Sequence, residues 1–282
     1  MKKFGPIRIG NQTSFAAATL DPFEFALANG FSAFEFFPDR GFRGCEGWDE
    51  RDLNNETRRY IRQTASAKGI QLSVHAPLEI NPLRDAEDGR LYSTVAFAAE
   101  IGANLVNLHL DLSQGVERFV EALKRALWLT AEAGLRLALE NTVFTGADDF
   151  NRFFAALHEG GGFLPFAHAG MCFDLGHANL HEATRNDYCR FLDELSGHVP
   201  IIHLHLHENF GDRDSHLTLF TGPSRDNTAG LEGLIDRLAR RGFAGCAIFE
   251  QWPWPASLLV DARNRLCGLL ETHPGILPLS PS

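Results

Sequence analysis

Several things are scarce in this chain, and each scarcity removes a class of explanation. Its five cysteines, Cys45, Cys172, Cys189, Cys246 and Cys267, are odd in number and show no CxxC spacing. That excludes a disulfide framework and a thiolate metal knuckle, and fits reduced thiols in a cytoplasmic protein. Lysine is nearly absent beyond the N-terminus, and acids outnumber bases 36 to 26, for a net charge of −10. Such a chain gets no general electrostatic help toward nucleic acid or an anionic membrane surface. No apolar run approaches membrane-spanning length, and no apolar stretch follows Met1-Lys2-Lys3 to make a signal peptide. There is no GxGxxG turn after the first strand, no P-loop, no serine nucleophile elbow and no zincin helix. Tyrosine is rare (3 residues) while phenylalanine is abundant (23), which favours packing over phenolic chemistry.

Histidine, by contrast, is concentrated. The run from Ile201 to His216 starts apolar and then alternates, placing His203, His205 and His207 two apart. In a strand those three share one face, with Leu204 and Leu206 on the other. Burying three imidazoles in a row is costly unless they find partners. The following turn delivers Glu208, Asn209, Asp212, Asp214 and His216. A strand end and loop rich in His, Asp and Glu is what one wall of a metal site requires.

The rest of the chain repeats the theme. Strands are expected at 8–13, 32–37, 71–77, 104–110, 136–141, 170–175, 201–207 and 245–251. Helices are expected from Asp21, with Asp21 as cap and Pro22 at the first position, over 50–67, 90–101 and 115–133, from an Asp148 cap to a break at Gly160–Gly162, up to about 196, and over 228–241 and 255–271. Eight strands alternating with helices predict a parallel sheet with right-handed crossovers, closed as a (β/α)8 TIM barrel. No composition break divides the chain, so one domain is expected over 1–273, followed by a Pro-rich tail at 274–282.

In such a barrel the C-terminal strand ends open onto one face, where active sites are built. Here they carry His75, His109, Glu140, Asp174, His205 and Glu250, and the flanking loops add His177, Asp214 and His216. The donors are nitrogen and oxygen, with no cysteine expected near them. That suits a divalent metal ion, Zn2+ or Mn2+ foremost, with Co2+, Fe2+ or Mg2+ as alternatives. Glu35, inside an apolar run, either points into the barrel mouth or pairs with an arginine, and the pairing is the reading preferred. His203 is read as a buried, hydrogen-bonded residue, and His158, His168, His181, His198 and His273 as surface or helix-end residues.

The motifs His75-Ala76-Pro77, Leu139-Glu140-Asn141, Phe173-Asp174-Leu175-Gly176-His177, His205-Leu206-His207-Glu208-Asn209, Asp214-Ser215-His216 and Phe249-Glu250 together resemble the xylose isomerase-like TIM-barrel superfamily. That superfamily joins sugar isomerases and epimerases with the endonuclease IV type of apurinic endonuclease. Resemblance to the epimerase branch implies one metal held by Glu140, Asp174, His205 and Glu250, with Glu140 and Glu250 also moving the proton α to a carbonyl. His207 is the rival to His205 as ligand. Resemblance to the endonuclease branch adds His75, His109, His177, Asp214 and His216, completing a three-metal set. Arg213 is a candidate for a distal hydroxyl or phosphate, although epimerases of this type carry their arginine nearer the Glu-Asn pair, where this chain has Gly211. Trp252, with Trp254, is a candidate aromatic wall for a sugar ring.

The expectation is therefore a metal-dependent isomerase or epimerase of a sugar, sugar phosphate or keto-polyol, with a small polyhydroxylated substrate. A phosphodiester hydrolase of the endonuclease IV type, or a keto-polyol dehydratase, are the alternatives. The charge of −10 disfavours a nucleic-acid partner, and a homo-oligomer stays open.

Overall fold

The computed structural model describes residues 7–13, 20–40, 47–84, 89–159, 168–251 and 253–273. Eight strands form one closed, all-parallel ring in chain order: β1 Arg8–Gln12, β2 Ala33–Phe36, β3 Gln71–His75, β4 Leu105–His109, β5 Arg136–Glu140, β6 Ala169–Asp174, β7 Ile201–Leu206 and β8 Cys246–Phe249. β8 closes on β1 through Arg8–Cys246 to Asn11–Phe249 pairings. The helices are α1 Asp21–Ala28, α2 Asn55–Lys68, α3 Gly89–Ile101, α4 Val116–Glu132, α5 Ala147–Glu159, α6 Leu175–Leu180, α7 Tyr188–Glu194, α8 Ala229–Arg241 and α9 Ser257–Thr272. This is the expected (β/α)8 TIM barrel. No helix among the described residues is long and apolar enough to cross a membrane.

Local chemistry accounts for the boundaries and for the departures from expectation. α2 begins where the Asn54 side chain accepts from the Thr57 amide and stops at Gly69, whose φ of 66° suits a residue without a Cβ. The helix expected over 50–67 is two pieces, because Asp49 caps a short 3-10 turn at Glu50–Asp52 and Asn54 then caps α2. Asp21 is the first helical residue and not the cap, a position that Leu20 takes without a side-chain bond. α5 likewise starts at Ala147, and Asp149 rather than Asp148 binds back to the Gly146 amide. The helical stretch expected up to about 196 is split into α6 and α7. The Gly160–Gly162 break, Trp252 and the 274–282 tail lie outside the described residues.

Period-two alternation sorts the strand side chains. Phe34, Phe36, Leu72, Val74, Val106, Leu108, Leu137, Leu139, Phe173, Leu204, Leu206 and Phe249 join the helices in one large apolar core. The alternate positions Gln12, Glu35, Ser73, His75, Asn107, Glu140, Asp174, His203 and His205 are buried and polar. Most barrels of this kind fill the centre with branched apolar residues, whereas here the upper interior is a hydrogen-bonded column. Two small apolar clusters lie apart from the main core: Leu105, Ala138, Cys172 and Ile202, and Ala33, Cys246 and Ile248.

Candidate metal centre

Glu140 is fully buried at the end of β5 and is the hub. Its Oε2 lies 3.3 Å from His75 Nε2 and 3.1 Å from His205 Nδ1. Its Oε1 lies 3.6 Å from His109 Nε2 and 3.4 Å from His177 Nδ1. Asn107 Nδ2 also donates to it. Glu250, at the end of β8, reaches His205 Nδ1 at 3.5 Å and His207 Nε2 at 3.7 Å. Asp174, at the end of β6, lies 3.1 Å from His207 Nε2 and accepts from the His177 backbone amide. In the loop after β7, Asp214 lies 3.1 Å from His216 Nε2 and 3.4 Å from His177 Nε2. The His216 ring stacks on His207, centroids 3.9 Å apart.

The nine sequence-derived donors therefore converge. Donor atoms of His75, Glu140, His205 and Glu250 lie within 4.8 Å of one another, as do those of His177, His207, Asp214 and His216. A third such group, Asp174, His207 and Glu250, joins the two. His207, ranked behind His205 on sequence pattern, belongs to two of these groups; His205 sits one step deeper on β7 and faces Glu140 and Glu250.

The hydrogen bonds of the imidazoles show that this cluster fits a cation. A main-chain carbonyl can only accept, so a ring nitrogen bonded to one must carry the proton. His75 Nδ1 donates to Ala76 O (2.6 Å), His177 Nδ1 to Asn141 O (2.9 Å) and His216 Nδ1 to Glu250 O (3.1 Å). In each ring Nε2 is then the nitrogen that faces the acids, and the one a cation would meet in place of a proton. A proton fixed on the outer nitrogen with the inner lone pair free is how proteins orient imidazole ligands. Four buried atoms here have no hydrogen-bond partner: Glu140 Oε1, His205 Nδ1, His207 Nδ1 and Glu250 Oε2. Unpartnered buried polar atoms are costly, and a divalent ion among them would remove that cost.

The electrostatics agree. Burial pushes the Glu140 carboxyl up, but imidazoles, His205 and His109 first, outweigh it and hold it well below the carboxylate range. Burial is likewise overcome at Asp174, where His177 and His207 bring the carboxyl down to about 2. His216 moves the other way. Against burial, its bond to Asp214 and the charge of Glu250 raise it to about 9. Protons on the imidazoles supply the positive charge that a metal would otherwise bring.

Two expectations need correction. Glu35 does not pair with an arginine: it points into the barrel and binds Gln12, Ser73, His203 and His205. Nor is the neighbourhood free of cysteine. Cys172, two residues before Asp174 on β6, is buried in the interior, and burial pushes its thiol well above the ordinary range despite the opposing charge of His205. It remains a thiol, so the donor set is still nitrogen and oxygen.

A cavity of about 120 Å³ lies over the cluster, lined by Gln12, Phe37, His75, His109, His177 and Glu250 among others. A wider groove of about 900 Å³ shares Leu78, His109, His177 and Asp214 with it. Arg213 lines a third, about 580 Å³, with Arg185, Phe144 and Asp214. Phe144, Phe210 and Trp254, on the loops after β5, β7 and β8, are exposed at this face.

The model of a xylose isomerase-like TIM barrel matches residues 23–265. The chain belongs to that family. Among curated proteins it is 26% identical over 204 residues to an uncharacterized protein, y4fM, of Sinorhizobium fredii, covering 58% of this chain and 62% of that one, a little under two thirds of the relative's length. Among solved structures it resembles a D-tagatose 3-epimerase-like protein (TM-score 0.70, 20% identity, 94% of this chain and 97% of the other). It also resembles an L-ribulose 3-epimerase (TM-score 0.67, 18% identity, 94% and 95%). At these identities the structural likenesses establish the family's fold.

Gln12 and Asn107 belong to the centre and were not singled out by sequence, and Glu35 was given the wrong partner. The available signal was parity: Glu35 has an inward position inside an apolar strand, and Asn107 precedes His109 by two.

Proposed function

We propose that this family member is a divalent-metal-dependent isomerase or epimerase of a sugar or keto-polyol, acting by removing and returning the proton α to a carbonyl. The observation that carries the reading is the placement of Glu140 and Glu250. These carboxylates come from strands three apart in the ring, yet lie 3.1 and 3.5 Å from the same nitrogen, His205 Nδ1, beside the cavity that Glu250 lines. A substrate carbon seated there has a carboxylate on either hand. One takes the proton; returning one to the opposite face of that carbon gives the epimer, and delivering it to the neighbouring carbon gives the isomer. Glu140, Asp174, Glu250, His207 and His205 would hold the ion, with His75, His109, His177, Asp214 and His216 around it. Bound there, a divalent cation would polarise the carbonyl and neutralise the charge that develops as the proton leaves. Asn107 donates to Glu140 Oε2 and leaves Oε1 toward His109 and His177. Arg213 and Arg185 would meet the distal end of a longer substrate, hydroxyl or phosphate.

The test is exchange with solvent deuterium. Ketoses incubated with the Mn2+- or Zn2+-loaded protein in D2O should gain deuterium α to the carbonyl, and Glu140→Gln and Glu250→Gln should not support it. A panel of ketoses and keto-polyols with no exchange would overturn the reading. Product analysis separates epimers from the water-loss product of a dehydratase, which shares the first step.

A second reading is favoured by one observation, the additional donor group of His177, His207, Asp214 and His216. Room for more than one cation suits phosphodiester hydrolysis of the endonuclease IV type. Two or three metals per chain together with cleavage of abasic-site DNA would support it, whereas one metal and no cleavage would remove it. The charge of −10 stands against it.

A further inference from the structure

Beneath the acids lies a second buried carboxylate that the proposed chemistry does not use. Glu35, on β2, has no solvent exposure. Its Oε1 accepts from Gln12 Nε2 (3.0 Å) and faces His205 Nε2 at 2.9 Å; its Oε2 accepts from Ser73 Oγ (2.8 Å) and faces His203 Nε2 at 2.9 Å. Four groups from β1, β3 and β7 thus converge on one carboxylate. An ionised carboxylate can only accept, so His205 presents a proton to Glu35 at Nε2. Its other nitrogen, Nδ1, is the one facing Glu140 and Glu250, where a cation would take the place of any proton it carries.

The contrast with the other rings is informative. His75, His177 and His216 are each oriented by a neutral main-chain carbonyl through Nδ1, and offer Nε2. His205 is oriented by a carboxylate through Nε2, and offers Nδ1. A carboxylate behind an imidazole fixes its tautomer and makes its free nitrogen a stronger donor than a carbonyl does. Gln12 extends the hold, because the same Nε2 lies 3.4 Å from Glu250 Oε1. One buried anion thereby sets two of the groups beside the cavity.

We infer that Glu35 is a positioning residue of the metal centre: it holds His205 by Nε2 with Nδ1 turned toward Glu140 and Glu250, and through Gln12 it aims Glu250. It touches neither ion nor substrate. The inference rests on the metal-centre reading given above, and its test separates the two.

The experiment combines 15N imidazole NMR of the full chain with Zn2+ titration, the His205 signals being assigned by their loss in His205→Gln. In the wild type, His205 should show its proton on Nε2 with or without Zn2+. Glu35→Gln puts an amide where only an acceptor fits; it should lose that signature and bind Zn2+ about 10- to 100-fold more weakly. Glu35→Asp keeps an anionic acceptor and should keep the Nε2 proton, which guards against a Gln variant that merely folds poorly. A Zn2+-loaded wild-type His205 with its proton on Nδ1 and none on Nε2, or a folded Glu35→Gln with wild-type tautomer and Zn2+ affinity, would overturn the inference. If the wild type takes up no Zn2+, the metal reading is what fails. The tautomer then decides alone: an Nε2 proton present in the wild type and lost in Glu35→Gln upholds the positioning role.

Discussion

At the scale of single residues, the site separates into groups that do chemistry and groups that aim them. Glu140→Gln and Glu250→Gln keep volume but remove a carboxylate to which the proposed mechanism gives the roles of both donor and base. Each should lower turnover by about 10²–10⁴-fold or more and weaken metal uptake, read by steady-state kinetics and metal titration. His158, at the end of α5 with its ring 6.4 Å from that of His198, is a control whose alanine variant should keep full activity. Protonation gives a further outcome. His216 titrates at about 9, above its ordinary 6.5, so the metal-free protein carries that proton at neutral pH. Against burial, His205 and His177 are likewise raised by the carboxylates around them, and a cation must displace such protons. Metal affinity should therefore rise with pH across the neutral range, with proton release visible as buffer-dependent heats in calorimetry. What the sequence reveals at this scale follows chain distance. Asp214 and His216, or Asp174 and His177, are close enough in sequence to read as pairs. Glu35 and His205 are 170 residues apart, and only closure of the barrel brings them together.

At the scale of elements, β7 does the most. It sends His203, His205 and His207 inward at successive depths, and its register against β6 shifts by one between Met171 and Cys172, which leaves Ile202 as the extra residue on β7. The first turn of α6 then passes close over the top ring. A Cβ on Gly176 would lie 2.0 Å from His207 Cε1. Gly176→Ala should therefore displace the His207 ring and weaken metal binding with the barrel intact, checked by metal titration beside circular dichroism. Gly10→Ala differs in kind, because its Cβ would meet the Ala33 carbonyl oxygen at 2.4 Å, where β1 and β2 pair. That contact cannot be relieved by a side chain, so the outcome should be a lower melting temperature. Strand cores and most helix bodies are legible from alternation and from the glycines that end helices. The ends depart by a residue or two, as at Leu20 and Ala147, because capping depends on backbone geometry that composition does not encode.

At the scale of the whole molecule, the barrel is legible because eight alternating units leave few other ways to close a parallel sheet. The loops over the mouth are less so, since their shape depends on contacts among segments far apart in the chain. Cation binding should couple to global stability. Zn2+ or Mn2+ at about 100 times its dissociation constant adds about 2.7 kcal/mol, a rise of several degrees in melting temperature that a chelator should reverse. The metal-free protein should weaken at both pH extremes. Asp174 is held at about 2, below its ordinary 3.8, so its contribution is whole above 3.8 and is lost as pH falls through about 2. The His216–Asp214 pairing is whole below 6.5 and is lost as pH rises through about 9. Denaturant melts at stepped pH would register both edges.

The polar interior has one more consequence. Since the staves are gripped from outside, by Phe34, Phe36, Val106, Leu139, Phe173 and Leu206 against the helices, folding and chemistry draw on opposite parities of the same strands. A saturation scan that scores cellular abundance and turnover separately should yield two interleaved combs along β2 to β8. Abundance would drop at the outward teeth, and turnover would drop at the inward ones.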